Sequence, residues 1–416
     1  MALTSRSVAV TGLGVVSALG ADVALHYRRL CSGESGIVAR LLKDGIPVNT
    51  WAPVDSRAYR RRIENRMLRK LLQPSAAMAV VAAGQAIEDA GLLRDSGRLA
   101  RAGIFVGSVS FELTPDLFLP ALELSINKAG DFDFESFANR GMSQLDPLLI
   151  VKGLPNGGLC GIAIEFGVLG PNLNIANDSI GGTQAIAAAV AAIASGDTEI
   201  AIAGGYDSLL QAEHMVSDYL EGRFGESGLN GYTVGEGAAM CVLESAEHAL
   251  GRGARIYAEI ASVEENCGEF TNGCMPLVAV ARRALESAGL ESELQAPQIL
   301  FGDLLGIDTD DKRELVALPV ALGTSAAITG HVGALGFTGA ASGAFSFVHA
   351  ALSISTSIIP PAVNCFGYSS PPGVRIITHS ELTQSDTRLV WHSDGGLKNV
   401  AIVLRRSPYS DGGRTE

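Results

Sequence analysis

Apolar residues along the chain form short continuous runs that alternate with longer helical patterns of small residues. Residues 7–16 are a β-branched run closed by glycines, and residues 103–107 are a short, fully apolar run. Runs of this kind predict buried strands. Between them, residues 75–90 repeat small apolar side chains at helical spacing and stop at Gly91, which suits a helix C-cap. Buried strands that alternate with helices predict an α/β protein whose sheet is covered by helices on both faces.

The same alternation occurs twice along the chain. The first series continues with a strand at 173–175, a helix from about 180 to 195 and a strand at 200–205, and the second series has strands at 256–263, 298–301 and 401–404 and helices at 275–288 and 339–352. The two series meet near Leu250 and look like two copies of one unit. We therefore predict two halves, residues 1–250 and 251–416, which pack as one body because no Pro-rich or Ser-rich linker separates them.

Composition and charge narrow the classes of partner. The 416 residues are 47% hydrophobic and 18% charged, as in soluble α/β proteins, and the formal net charge is −13. A chain this acidic has no electrostatic footprint for nucleic acid and is repelled by anionic lipid headgroups. The longest small-residue apolar stretch, residues 185–194, is too short to span about 30 Å of hydrocarbon, and the start has no signal-peptide pattern. We expect a cytoplasmic protein that binds neither nucleic acid nor membranes.

The cysteines and the cations add two expectations. The six cysteines show no CxxC pair and no zinc-ligand spacing, so we expect buried thiols of a reducing cytoplasm, no metal and no cofactor. Cations cluster in residues 57–66 and at Arg69 and Lys70. This run is a candidate patch for an acidic partner protein, although a solvated helix face is the simpler interpretation.

Seven motifs occur in a fixed order along the chain: VTGLGVVSALG (10–20), SGESGI (32–37), GVLGPNLNIAN (167–177), IAIAGGYDS (200–208), YTVGEGAAMCVLESAEHALGRGARIYAEI (232–260), ITGHVGALGFTGA (328–340) and IIPPAVN (358–364). In these motifs and their order, the chain resembles the β-ketoacyl-acyl carrier protein synthases from about Val8 to Leu404. The resemblance implies the thiolase-like five-layered αβαβα fold, built from two duplicated halves.

Active members of this family condense acyl groups with a Cys nucleophile at a helix N-terminus and two His that stabilise developing negative charge. In this chain the Cys position falls on Ser179, and the first His position falls on or next to Asp303. The second His is present as His331, but the Lys five residues before it corresponds to Ala326. The Phe that gates the nucleophile falls on or near Asp394. The resemblance thus implies a retained fold without an intact catalytic set.

Two interpretations of Ser179 remain open. It could be an activated Ser that carries an acyl group, with His331 as its base. Alternatively it is a small residue that fills the vacated position and caps the following helix, for which Ser is well suited. We favour the second interpretation, because the neighbouring Asp178 carboxylate would oppose alkoxide formation if it lay close in space. His331 is correspondingly either a remnant oxyanion donor or a core histidine held by packing.

The pattern of losses resembles the chain length factor, or ketosynthase beta subunit, of type II polyketide synthases. That resemblance implies a heterodimer with a catalytic ketosynthase, an acyl carrier protein that bears the polyketide chain, and a subunit without its own condensing activity. The chain departs from the commonest version, which holds Gln at the position of Ser179, and both an aromatic and a polyene pathway remain open. Candidates for the acyl tunnel or the subunit interface follow the strand at 103–107: Phe111, Leu113, Leu117, Phe118 and Leu122.

Two other functions fit the sequence. The chain could be a Ser-dependent acyltransferase of thiolase fold that uses Ser179 and His331. It could also be a scaffold or cyclase-like binding module without a tunnel.

Overall fold

The strands and helices follow the alternation predicted from the sequence. The computed structural model describes residues 6–40, 48–108, 117–224, 232–268, 275–290, 299–306, 308–322, 326–364, 371–395 and 397–409. The strands are β1 (Val8–Val16), β2 (Val38–Ala39), β3 (Thr50–Ala52), β4 (Gly103–Gly107), β5 (Asn172–Ile175), β6 (Ile200–Ser208), β7 (Val234–Ser245), β8 (Ala258–Cys267), β9 (Ile299–Phe301), β10 (Ala326–Thr329), β11 (Ile358–Ile359), β12 (Val374–Ile376), β13 (Glu381–Leu382), β14 (Thr387–Asp394) and β15 (Lys398–Arg405). The helices are α1 (Val23–Cys31), α2 (Ser56–Tyr59), α3 (Arg66–Leu71), α4 (Pro74–Asp89), α5 (Ser96–Leu99), α6 (Leu119–Glu123), α7 (Phe134–Ser136), α8 (Leu149–Gly153), α9 (Gly157–Phe166), α10 (Gly181–Ser195), α11 (Ala212–Leu220), α12 (Ala246–Gly251), α13 (Pro276–Ser287), α14 (Asp308–Leu322), α15 (Val332–Leu335) and α16 (Ser342–Thr356).

Thirteen of the strands form one sheet system in the order β12-β10-β9-β14-β15-β8-β1-β7-β6-β4-β5, with β3 on β7 and β2 on β3. The first series of elements supplies one end of this order and the second series supplies the other. They join where β1 pairs antiparallel with β8, so that Val8 lies opposite Ile260. Within each half, two neighbouring strands are parallel: β4 with β6, and β9 with β10. The loops that follow the two strands of each pair therefore leave the sheet at the same edge.

Helices form layers on both sides of these strands. The helices α10 and α16 contact each other and lie between the two halves, while α4 and α9 cover the first half and α13 and α14 cover the second. The strands β1, β6 and β7 are buried along their whole length, as continuous apolar runs predict. The predicted α/β fold of thiolase type, with helices on both faces of the strands, is confirmed.

Glycines set the distance between β1 and α4. A Cβ atom on Gly14 would lie 1.9 Å from the Ala82 carbonyl oxygen, and one on Gly12 would lie 2.1 Å from the Ala86 carbonyl oxygen. No side chain fits in that space, so the two glycines of the VTGLG motif allow the helix backbone to pack directly on the strand.

The structure also bears on the expectations about membranes and cysteines. In the part of the chain that the structure describes, no helix has both the length and the apolar character needed to cross a bilayer. The prediction of buried thiols is wrong for three of the four described cysteines. Cys241 is buried, but Cys160 and Cys267 are exposed and Cys31 is half-buried, because they lie on outer helix faces or at a strand end. Cys274 and Cys365 lie outside the described residues.

Candidate functional site

Ser179 lies in the turn between β5 and α10, and only 8% of it is exposed. The preceding residue, Asp178, has a positive φ of 48°, so the chain turns sharply before the helix. The helix begins at Gly181 with Ile180 as its N-cap. The expectation that Ser179 caps the helix is therefore wrong, since it lies too early in the turn. Its Oγ instead donates a hydrogen bond to Asp394 Oδ1 at 3.4 Å.

Asp303 and His392 form a buried pair next to Ser179. The strands β9 and β14 are parallel neighbours in which Leu300 lies opposite Leu389. This register, continued by three residues, brings Asp303 and His392 together. Asp303 Oδ1 is hydrogen-bonded to His392 Nδ1, and the Ser393 N–H donates to Asp303 Oδ2 at 3.2 Å. Asp303, predicted at or next to the first His position, thus binds a histidine that the sequence motifs did not identify.

The other ring nitrogen of His392 contacts Ser179. His392 Nε2 lies 3.0 Å from the Ser179 carbonyl oxygen, which can only accept a hydrogen bond. Burial opposes a charged ring, but the Asp303 carboxylate and the Ser179 carbonyl outweigh that effect, and the pKa of His392 is raised. A carboxylate on one nitrogen and a carbonyl on the other suit a ring that donates from both nitrogens, as an imidazolium does.

Glu314 of α14 holds the loop that carries Asp303. Its two carboxylate oxygens accept the N–H groups of Asp303 and Leu304, each at 3.0 Å. Leu304 has a positive φ of 43°, and this pair of hydrogen bonds stabilises the turn. Burial, followed by the nearby Asp303 carboxylate, raises the pKa of Glu314 well above its ordinary range.

A cavity of about 30 Å³ lies next to Asp303 and Glu314, and Trp391 and Ser393 are among the other residues that line it. A space of this size holds about one water molecule. Among the described residues, no group of three or more His, Cys, Asp or Glu side chains is placed to hold a metal ion.

His331, which the sequence resemblance matches to the second His, lies in a neighbouring buried cluster. Its Nδ1 is 3.4 Å from Ser346 Oγ, and no partner for its Nε2 occurs among the described residues. Burial, reinforced by His392 and His26, lowers the pKa of His331 to about 3, so the ring is neutral. No hydrogen bond joins His331 to Ser179 within the described parts of the chain. The structure thus brings Ser179 next to His392 rather than into hydrogen-bond contact with His331.

Lys398 contacts three polar or charged side chains next to Ser179. Its Nζ contacts Asn177 Oδ1 at 2.8 Å, Asp178 Oδ2 at 2.6 Å and Asp394 Oδ2 at 3.5 Å. Asp178 is largely exposed and paired with Lys398, and the carboxylate that accepts from Ser179 is Asp394. Asp394, the residue predicted at or near the gate position, is thus a charged side chain that pairs with Lys398.

The remaining predicted residues lie as follows. Ala326 is buried at the start of β10. Leu117 and Phe118 are half-buried just before α6, and Leu122 is half-buried within it. Phe111 and Leu113 lie outside the described residues.

The comparison with known proteins identifies the family. Residues 5–249 match the description "Beta-ketoacyl synthase, N-terminal domain", and residues 257–366 match "Beta-ketoacyl synthase, C-terminal domain". The chain therefore belongs to the β-ketoacyl synthase family.

Characterised relatives and solved structures agree with this assignment. The chain is 27% identical to 3-oxoacyl-(acyl-carrier-protein) synthase 2 of Vibrio harveyi, over 97% of this chain and 99% of the relative. It is 26% identical to nodulation protein E of Rhizobium meliloti, over 86% of this chain and 89% of the relative. The structure titled "The ishigamide ketosynthase/chain length factor" has a TM-score of 0.81 at 23% identity, over 97% of this chain and 100% of that chain. A type II polyketide ketosynthase in complex with its acyl carrier protein, AntDE:AntF, has a TM-score of 0.78 at 21% identity, over 97% of this chain and 100% of that chain. These structural likenesses show the fold.

Proposed function

We propose that the chain is the non-condensing chain length factor of a type II polyketide synthase, in an aromatic or a polyene pathway. It pairs with a catalytic ketosynthase and shapes the acyl tunnel that controls chain length. The observation that carries the proposal is the arrangement around Ser179. At the place where the family holds its Cys, the chain holds a hydroxyl whose nearest histidine has no free lone pair.

This arrangement opposes covalent catalysis on Ser179. A hydroxyl becomes a nucleophile only when a neighbouring base accepts its proton. His392 donates from both ring nitrogens, so it cannot accept that proton. The hydroxyl points instead at the Asp394 carboxylate, whose negative charge disfavours an alkoxide beside it. Asp303, at the first His position, likewise supplies a negative charge where the family stabilises a developing oxyanion.

The free edge of the sheet supports a protein partner. Among the described strands, β5 is the last at its end of the sheet, and Leu173 on it is 43% exposed. Further apolar side chains are exposed nearby in sequence, including Phe134 at 79%, Ile150 at 70% and Leu169 at 79%. Large exposed apolar patches beside an unpaired strand edge are typical of protein interfaces. We assign this surface, referred to below as the β5 face (residues 132–173), to the ketosynthase partner.

A basic patch supports contact with an acyl carrier protein. Arg61, Arg66 and Lys70 are exposed and lie close in sequence to Met67, which is 70% exposed. The other cations of the run are engaged: Arg57 pairs with Asp55, and Arg60, Arg62 and Arg69 donate to backbone carbonyls. On a chain of net charge −13, three exposed cations without these contacts, close to an exposed apolar side chain, suit an acidic partner protein. The solved structure AntDE:AntF, which has a similar fold, contains by its title an acyl-carrier protein in complex with its own ketosynthase.

Co-expression tests the proposal. The chain is produced with a Cys-containing ketosynthase encoded beside it, and the complex is examined by size-exclusion chromatography and product analysis. We expect a heterodimer that condenses, and a chain that does not condense alone. Condensation by the isolated chain would contradict the proposal.

Tunnel shaping has its own test. Phe118→Ala should change product length without abolishing condensation, because it removes a half-buried ring next to α6. Leu250→Ala, at an exposed position on α12, is the control that should leave product length unchanged. If the Phe118→Ala complex makes unchanged products, the segment at 117–122 does not line the tunnel.

The Ser-dependent acyltransferase predicts a different outcome. Intact mass spectrometry after incubation with acyl-carrier-linked substrate would then show an acyl group on Ser179 that Ser179→Ala lacks. We expect no such adduct, since neither His331 nor His392 is placed to accept the hydroxyl proton.

A further inference from the structure

His392 connects four elements at the centre of the site. It lies on β14, binds the carboxylate at the end of β9 and reaches the carbonyl of the turn before α10. The fourth element is α16: a Cβ atom on Gly343 would lie 3.0 Å from His392 Cγ and 2.0 Å from Thr183 Oγ1. The ring is therefore enclosed by backbone on the side of α16 and has no space to change its orientation.

The hydrogen bonds of the ring determine its charge. A carboxylate and a backbone carbonyl are both acceptors, so each ring nitrogen must carry a proton to satisfy them. The other charged or titratable groups that face the ring are Asp394 on its own strand and His331, which is neutral. Behind Asp303 lies Glu314, which binds the backbone of the Asp303 loop and not the histidine. A buried cation with a bonded carboxylate is stable only while both partners are present.

We propose that His392 is the positioning residue of this centre. As a buried imidazolium it joins the Asp303 carboxylate to the Ser179 carbonyl, and this His392 clasp (His392, Asp303 and the Ser179 carbonyl) holds the Ser179 turn in a fixed, closed conformation. The inference rests on the proposed non-condensing role and deepens it. The site around Ser179 lacks the family's catalytic residues, and the His392–Asp303 pair holds it rigid. The turn before α10 is therefore a structural element of the subunit.

Two measurements on the full chain test the clasp. In the first, NMR of ¹⁵N-labelled histidine reports the protonation of both ring nitrogens. We expect His392 to be doubly protonated at pH 7 and to become neutral at that pH in Asp303→Asn. In the second, hydrogen exchange followed by mass spectrometry reports the mobility of residues 177–182. We expect about a tenfold faster exchange of this segment in Asp303→Asn, with the exchange of β1 and β7 unchanged.

Asp394→Asn is the matched control, because it removes a carboxylate near His392 that the ring does not bond. It should leave His392 doubly protonated at pH 7. A singly protonated His392 in the wild-type chain overturns the proposal without any variant. Unchanged exchange of residues 177–182 in Asp303→Asn also overturns it.

The test is independent of the proposed function. Ketosynthase binding is measured by size-exclusion chromatography, and it uses the β5 face rather than the buried clasp. If the clasp measurements fail but the heterodimer forms, the clasp alone is contradicted. If the clasp is observed but no heterodimer forms, the proposed function alone is contradicted.

Discussion

At the scale of single residues, Gly343 shows how tightly His392 is enclosed. A methyl group added there would meet Thr183 Oγ1 at 2.0 Å and His392 Cγ at 3.0 Å, and both neighbours are buried. We expect Gly343→Ala to lower the free energy of unfolding by about 3 kcal/mol or more, because neither neighbour can move away cheaply. Chemical denaturation followed by circular dichroism measures this loss.

Gly251 provides the control for that substitution. It is also helical, at the end of α12, and an added methyl group meets no atom within 4 Å. Gly251→Ala should be neutral or stabilising by up to about 1 kcal/mol, since alanine favours the helix. Equal losses in the two variants would show that the space around His392 does not restrict an added methyl group.

The candidate site was only partly predictable at this scale. Ser179, Asp303 and Asp394 follow from motif positions, because motifs fix places along the chain. His392 was matched to no catalytic position of the family, and its contact with Asp303 depends on the pairing of β9 with β14. Strands that are almost ninety residues apart carry no local signal of their register. The available hint was a histidine two residues before the gate position.

At the scale of elements, the strand β5 supports a prediction about assembly. Leu173→Lys places a charge on the unpaired edge, where it would have to be buried in a heterodimer. We expect this variant to weaken ketosynthase binding by about tenfold or more while the stability of the isolated chain stays within about 0.5 kcal/mol. Titration of the partner by calorimetry gives the affinity, and thermal unfolding gives the stability.

Leu382→Lys is the matched control for the β5 prediction. Leu382 is 84% exposed on β13, which pairs with β11 in a separate small sheet. The same change of charge and size there should leave the affinity unchanged. If both variants bind the ketosynthase as well as the unmodified chain does, the β5 face is not the interface.

The elements themselves were the most predictable part of the chain. The strand β4 has its predicted bounds, and α13 differs from its prediction by one residue at each end, because buried strands and amphipathic helices each carry a local period. The bounds of β8 and β15 were less accurate, since these strands extend into polar residues whose pairing is set by distant partners. The order of the strands in the sheet was not predicted, because no local pattern specifies it.

At the scale of the whole molecule, three buried histidines link the two halves. His26 of α1 and His349 of α16 share a hydrogen bond between their Nε2 atoms at 2.7 Å, and the ring of His331 packs against that of His349. Burial lowers the pKa of His26 to about 3, and it also lowers the pKa of His349 well below the ordinary value. One proton lies between the two Nε2 atoms, so a second proton would break the contact.

These histidines make stability depend on pH. Their folded-state pKa values lie below the unfolded value of 6.5, so the unfolded chain binds more protons, and their contribution is lost as pH falls below 6.5. His392, Glu314 and Glu236 act in the opposite direction, since each has a raised pKa in the folded state and binds protons there more tightly. The net slope of the wild-type chain mixes both signs, and a single substitution is needed to separate them.

His349→Leu isolates one of the three contributions. Between pH 5 and pH 6 an unfolded histidine is largely protonated while folded His349 remains neutral, so each such residue adds about 1.3 kcal/mol of unfolding free energy per pH unit. Urea denaturation should therefore show a slope between pH 5 and pH 6 that is lower by about that amount in His349→Leu than in the wild-type chain, with about half that difference between pH 6 and pH 7. Val348→Ala on the same helix removes buried methyl groups without removing a titrating one, so it should lower stability equally at all three pH values. Parallel pH profiles for the wild-type and His349→Leu chains would mean that His349 is protonated in the folded state, and that the two halves are not joined by neutral imidazoles.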